Sequence, residues 1–327
     1  MFTLSPFCDR VFAWALFEVQ EEVWRAFSLY HHVLEKRKDK LMNSLHSGKI
    51  ALVTGTSSGI GLSTAVQLAQ HGYTVIATMR DTTKATALEA QAHEAEINID
   101  VRPLDVQDDA SVMKCVQAVM QTYGRIDLLV NNAGSGYLGT MEQTTLQDVQ
   151  RVMDVNFFGV WRVTQAVFPF MRVARSGRIL TITSVGGLLG QPFNDAYCAA
   201  KFAVEGFMES LAPVAKRLGV TVCLVEPGPV NTNFVATVVA GLPESSQEVQ
   251  AAYGPLLEAY LGGTQARFAA MGQTPEQVGK ILVAAALAET PHFRYTTSEL
   301  VQELVSQKYV EPSGDRMLAF FEARLGK

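Results

Sequence analysis

The sequence predicts an α/β fold in which a parallel sheet is covered by helices on both faces. From about residue 49, apolar runs of strand length alternate with longer segments of helical period. The runs are continuously apolar, as strands buried on both faces require. The first run also ends in a glycine-rich turn that opens directly into a helix-length segment. Together these observations specify a doubly wound arrangement.

Taken in order, strands are expected at 50–54, 74–78, 99–102, 127–131, 178–183 and 220–226, with a short late strand at 293–296. Helices are expected at 60–70, 84–92, 108–123, 146–170, 196–218 and 275–289. Pro213 falls inside the fifth helix, where proline removes a hydrogen bond and bends the helix or cuts it short. Residues 231–272 are rich in Ala, Gly and small polar residues without a clean period. They are expected as a small, irregular helical substrate lobe. No repeat or low-complexity tract interrupts 46–327, which reads as a single domain.

Residues 1–45 stand apart. Phe12, Leu16, Val19, Val23, Phe27, Tyr30 and Leu34 recur at steps of three and four, the mark of an extra amphipathic helix, and a charged run from Glu35 to Lys40 follows. Three readings stand side by side. The helix packs on its own domain or on a partner subunit; it lies on a membrane surface through 11–40; or it is an extension upstream of a natural start at Met42. The early apolar run at 11–17 falls far short of the ~20 residues a spanning helix needs. Its positive charges follow it, unlike those of a signal peptide.

Apolar residues make up 48% and charged residues 18%, ample for a core. A formal charge of -5 with no basic stripe argues against nucleic-acid binding. Cys8, Cys115, Cys198 and Cys223 are scattered without metal-like spacing, and no His/Asp/Glu cluster suggests a metal. A reducing, cytoplasmic setting is expected.

The first strand ends in Thr54-Gly55-Thr56-Ser57-Ser58-Gly59-Ile60-Gly61. Glycines there let the backbone turn tightly and approach a pyrophosphate, whose charge is favoured by N–H groups at a helix start. The second strand ends Met79-Arg80-Asp81. An acid at that point suits the ribose 2′-hydroxyl of NAD, whereas an arginine suits the 2′-phosphate of NADP. Arg80 therefore favours NADP(H), although a surface arginine paired with Asp81 is the plainer alternative.

Tyr197-Cys198-Ala199-Ala200-Lys201 places a phenol and an ammonium on one helix face. A phenol with a pKa near ~10 is a poor base at neutral pH. A nearby cation is expected to lower that value, so that Tyr197 exchanges a proton with a substrate oxygen. Ser184, at the end of the fifth strand, can hydrogen-bond a carbonyl as charge develops on it.

The glycine turn (TGxxxGIG), followed by this Ser and YxxxK set, resembles the short-chain dehydrogenase/reductase family, whose domain is a doubly wound Rossmann fold. Other segments match the family in order. Asp105-Val106 resembles its adenine contact, Asn131-Asn132-Ala133-Gly134 its NNAG segment, and Pro227-Gly228-Pro229-Val230-Asn231-Thr232 the turn whose backbone and threonine contact the nicotinamide end. Asn156 resembles the family asparagine that holds a relay water beside the lysine. The resemblance implies catalytic roles for Asn156, Ser184, Tyr197 and Lys201, the last two also touching the cofactor.

Ser184-Val185-Gly186-Gly187-Leu188, the segment from Gln191 to Tyr197, and that from Lys201 to Phe207 are similar to the 17β-hydroxysteroid dehydrogenase type 1 and photoreceptor-type retinol dehydrogenase branch. That likeness implies an apolar, steroid- or retinoid-like alcohol, ketone or aldehyde, and a homodimer or homotetramer. The rivals are a reductase of another substrate class, such as 3-ketoacyl thioesters, and a non-catalytic NADP(H)-binding sensor or scaffold.

Overall fold

A computed structural model of the chain describes residues 48–308. Seven strands lie in one sheet: β1 (Ile50–Thr54), β2 (Thr74–Met79), β3 (Ile99–Pro103), β4 (Leu128–Asn131), β5 (Arg178–Ile182), β6 (Thr221–Glu226) and β7 (Arg294–Thr296). Their order is β3-β2-β1-β4-β5-β6-β7, and every neighbouring pair is parallel. Each expected strand is present with its ends moved by no more than one residue. The extra helix expected within 1–45 lies outside the described residues.

The helices are α1 (Gly59–Gln70), α2 (Thr86–Glu94), α3 (Asp109–Tyr123), α4 (Leu146–Met153), α5 (Gly159–Ala174), α6 (Asp195–Arg217), α7 (Asn233–Ala240), α8 (Gln247–Met271), α9 (Pro275–Leu287) and α10 (Glu299–Lys308). The two-residue period of the strands divides their side chains between two cores. Ala51, Val53, Val130 and Leu180 pack with α1 and α9, while Leu52, Leu129, Ile179 and Leu224 pack with α3, α5 and α6. Leu52, Leu129 and Leu180 are fully buried, each worth about 1.5–3 kcal/mol of transfer free energy.

Two expectations need correction. The segment expected as one helix over 146–170 is broken by a π-helical turn, Asp154–Phe158, between α4 and α5. The stretch 231–272 is helical as expected but regular, forming α7 and the 25-residue α8. Pro213 lies inside α6, which runs to Arg217, one residue short of the expected end. The carbonyl that loses its donor there belongs to Glu209, an exposed residue whose backbone water can satisfy.

Cys115, Cys198 and Cys223 are free and buried, and burial pushes each thiol up to about 11, away from reactivity. Among the described residues no helix is long and apolar enough to cross a membrane. Because all strands run the same way, their carboxyl ends share one edge. Chain order reverses between β1 and β4, which opens a crevice at that edge.

Candidate active site

The glycine turn follows β1 directly. Gly55 and Gly59 hold φ of 70° and 60°, left-handed values that side chains rarely adopt. A Cβ on Gly55 would stand 2.8 Å from Ala133 Cα, and one on Gly61 would collide with Asn132 and the Gly55 carbonyl. Asn132 fixes this approach from the end of β4. Its Nδ2 donates to the carbonyls of Thr54 and Gly55, each at 2.8 Å. The N–H groups of Asn132 and Ala133 both donate to Thr54 Oγ1 at 3.0 Å. Ser57, Ser58 and Ile60 complete the turn, and the Ser58 side chain does not cap α1, so the helix start faces outward uncapped.

Arg80 follows β2 and is exposed. The pairing with Asp81 considered for it is absent, because Asp81 Oδ1 accepts from the Thr83 N–H and hydroxyl at 3.0 and 2.6 Å. Asp105 and buried Val106 follow β3, where Asp105 Oδ1 accepts from the Gln107 N–H.

Asn156 lies in the π turn, fully buried. Such turns insert one residue into a helix and re-aim what they carry. The Asn156 amide donates to the carbonyls of Ser135 (2.8 Å) and Val152 (3.0 Å), and its oxygen accepts from the Ser135 N–H (3.2 Å). Lys201, on α6, is 5% exposed and donates from Nζ to the Ile182 carbonyl at 3.1 Å. Gly134 brings these two side chains together. A Cβ there would lie 2.8 Å from Asn156 Oδ1 and 3.7 Å from Lys201 Nζ.

Tyr197 and Ser184 meet across the start of α6. Ser184 Oγ accepts from the Gly186 N–H at 3.0 Å and hydrogen-bonds the Tyr197 phenol. The lowered phenol expected from the lysine spacing is not what the geometry gives. Lys201 Nζ sits 5.8 Å from the Tyr197 ring centroid, and burial pushes the phenol up to about 12 while the Ser184 hydrogen bond pulls it back. Burial also pulls the Lys201 ammonium down to about 8, opposed by the charge of Glu205.

The turn after β6 closes the site. The Pro227 carbonyl accepts from the Val185 N–H at 2.8 Å, tying it to the Ser184 turn. A Cβ on Gly228 would meet Val301 at 2.7 Å, and Val230 bridges to Gln273. Thr232 approaches the glycine turn, its Cγ2 3.3 Å from where a Cβ on Gly59 would stand.

The structure thus collects Ser184, Tyr197, Lys201 and Asn156 into one cluster after β5, and the glycine turn, Asn132 and Thr232 into another beside it. A model of the short chain dehydrogenase family matches residues 49–242. The chain belongs to that family. Retinol dehydrogenase 8 of Bos taurus is 40% identical over 275 residues, spanning 81% of this chain and 86% of its own. Human 17-beta-hydroxysteroid dehydrogenase type 1 is 39% identical over 271 residues, spanning 81% and 82%. A variant of actinorhodin polyketide ketoreductase solved with NADPH matches with a TM-score of 0.66 and 29% identity, over 76% of this chain and 95% of that one.

Two features of this short-chain dehydrogenase were missed in its sequence. Phe234 of α7 stacks edge-on against Tyr197, ring centroids 5.9 Å apart, and Gly136 makes room, since a Cβ there would meet Phe234 at 2.6 Å. Only the absence of a side chain at 136 hinted at a close approach. The second is an ion network behind Lys201. Arg294 of β7 pairs with buried Glu205, with buried Glu226 at 2.6 Å and with exposed Glu209 at 2.9 Å. Burial raises both buried glutamates, and the charge of Glu205 raises Glu226 further; Arg294 opposes the rise at both, and Thr183 and Lys201 oppose it at Glu205.

Burying the Lys201 cation costs stability. The folded protein holds this proton less tightly than the unfolded chain, so stability rises with pH between about 8 and the ordinary lysine value of 10.5. Lys201→Met is therefore expected to stabilise the fold at pH 7 by about 1–2 kcal/mol, after allowance for the lost Ile182 bond. Thermal melts across pH check this: the gain should shrink as pH climbs past about 8. A variant destabilised at pH 7 would contradict it.

Proposed function

We propose that this short-chain dehydrogenase is an NADP(H)-dependent oxidoreductase that interconverts a hydroxyl and a carbonyl on an apolar, steroid- or retinoid-like substrate. The observation that carries the reading is the cluster of Tyr197, Ser184 and Lys201 beside the glycine turn. The residues fit a dinucleotide. Side chains at 55, 59 or 61 would fill the turn, and the uncapped start of α1 suits a phosphate. Arg80, exposed and released from Asp81, supports a 2′-phosphate. Gly55, Ser57, Ser58, Gly59, Ile60 and Gly61 would hold the pyrophosphate side. Asp105 and Val106 would hold the adenine, and Asn132, Ala133, Gly134, Pro227, Gly228, Val230 and Thr232 the nicotinamide side.

When bound, NADP(H) supplies or accepts the hydride. The chain's own residues handle the proton. A phenol held protonated at pH 7 is a donor, so Tyr197 gives its proton to the substrate oxygen as a carbonyl is reduced, while the Ser184 hydroxyl steadies the charge on that oxygen. Lys201 returns a proton to Tyr197, and Asn156, gathered with it about Gly134, holds the relay water through which solvent restores the lysine's proton. Phe234 lies against the phenol and presents an apolar ring, which agrees with an apolar substrate. Retinol dehydrogenase 8 and 17-beta-hydroxysteroid dehydrogenase type 1 are named for substrates of that character.

NADPH oxidation is tested with retinal, a steroid ketone and a 3-ketoacyl thioester, beside Tyr197→Phe. Turnover of retinal or steroid is expected, and the variant should lose about 10³-fold in kcat while binding NADPH within about threefold of wild type. Preference for the thioester moves the substrate class; binding without turnover of any of them favours a sensor.

Arg80→Ala is expected to raise the KM for NADPH about 10- to 100-fold and leave that for NADH unchanged. Equal effects on both cofactors would overturn the 2′-phosphate assignment.

The same reading includes a homodimer or homotetramer built on α5 and α6. Trp161, Val173 and Val214 are 43%, 45% and 56% exposed there, and Phe158 joins them from the adjoining π turn. Trp161 stacks on Phe207 at 4.4 Å, giving a preformed aromatic surface. Light scattering at micromolar concentration should give a dimer or tetramer that Trp161→Glu converts to monomer; a wild-type monomer contradicts the assignment.

A further inference from the structure

The loop between β3 and α3 carries Asp105, Val106, Asp108 and, at the helix start, Asp109. Of its three carboxylates, Asp105 accepts from the Gln107 N–H and Asp108 from the Ala110 N–H, which leaves Asp109 for a cation to hold. Arg162 of α5 is placed to do so. Its Nε pairs with Asp109 at 2.6 Å, its Nη2 with Asp154 at 2.7 Å, and its Nη1 donates to the Val106 carbonyl at 3.2 Å. Asp154 closes the ring, because its Oδ2 accepts from Gln107 Nε2 at 3.0 Å while the Gln107 N–H donates to Asp105. The fit is tight: a Cβ on Gly159 would stand 2.8 Å from Val106 Cγ2.

A guanidinium alone among side chains can serve three acceptors in different directions from one plane. The arginine and Asp154 side chains are 23% and 30% exposed, so water screens that pair only in part, whereas Asp109 is 83% exposed and its pair is the more screened. Asp154 is also the first residue of the π turn that carries Asn156. The loop after β3 is thus anchored to the segment that holds the relay asparagine.

We propose that Arg162 is a positioning residue for the adenine half of the cofactor site, fixing residues 105–107 against the π turn; this rests on reading Asp105 and Val106 as the adenine contact. Arg162 itself touches no cofactor. It lowers the cost of binding by holding the loop in the bound shape beforehand.

The two halves of the cofactor separate this role from general stability. Fluorescence or calorimetric titration of the full chain with adenosine 2′,5′-bisphosphate, reduced nicotinamide mononucleotide and NADPH is compared for wild type and Arg162→Gln. The variant should bind the adenosine bisphosphate and NADPH about tenfold more weakly, the scale of one charged hydrogen bond, and the nicotinamide mononucleotide unchanged. Gln107→Ala, which removes one neutral link of the ring, should weaken the adenosine bisphosphate about threefold and serves if Arg162→Gln fails to fold. Arg151→Gln, at an exposed pair with Asp148, should change neither.

Equal weakening of both fragments, or of neither, overturns the proposal. Failure of wild type to bind NADPH at all would instead count against the cofactor assignment beneath it.

Discussion

A lysine ammonium buried to within 5% of full coverage is the constraint on which the rest of this site depends. A cation so placed is costly unless charges and dipoles gather round it. The Ile182 carbonyl takes one N–H at the end of β5, and Glu205 supplies a negative charge one helical turn along α6. Glu205 is itself buried, so it is tied to Arg294 on β7, which also holds Glu226 of β6. Room for the arrangement comes from glycines. A Cβ on Gly134 would press on Asn156, and one on Gly187 would stand 3.1 Å from both Glu205 Cγ and the Lys201 carbonyl. The late strand β7 is therefore part of the site's electrostatics as well as of the sheet.

The fold was legible because its strands are buried on both faces. Ala51, Leu52, Val53, Leu129, Val130, Leu180 and Leu224 have no exposed surface, and continuous apolar runs follow directly from that. The glycine turn was legible for a different reason. Positive φ at 55 and 59 restricts the residue type itself, so the constraint is written in the sequence. Elsewhere the signal was weaker than the structure. A π turn adds one residue to a helix, and in 146–170 that offset leaves Val152, Val160, Val163 and Val167 close enough to a helical period to pass as one element. In α8 only Tyr260 is buried and Pro255 lies within the helix, so almost no apolar stripe marks it.

The candidate residues Asn156, Ser184, Tyr197 and Lys201 were singled out through spacing and family likeness, and the structure brings them close together. Their electrostatics were misread. Spacing reveals that a lysine lies one turn from a tyrosine, but it cannot weigh Coulomb attraction against desolvation. Here desolvation wins at both groups: the phenol rises, the ammonium falls, and a proton is held on Tyr197 through the neutral range. The contacts of Phe234 and Arg294 were invisible for another reason. Each depends on residues far away in sequence, Gly136 in one case and Glu205 and Glu226 in the other.

The central claim is that burial holds the proton on Tyr197 against the pull of the Ser184 hydrogen bond. Ultraviolet difference titration of phenolate, wild type against Tyr197→Phe, measures this directly. The account predicts that the two titrations coincide up to about pH 11 and that the phenolate belonging to Tyr197 emerges only near about 12. An additional phenolate in wild type titrating near neutral pH would contradict it, and would mean that the lysine governs the phenol after all.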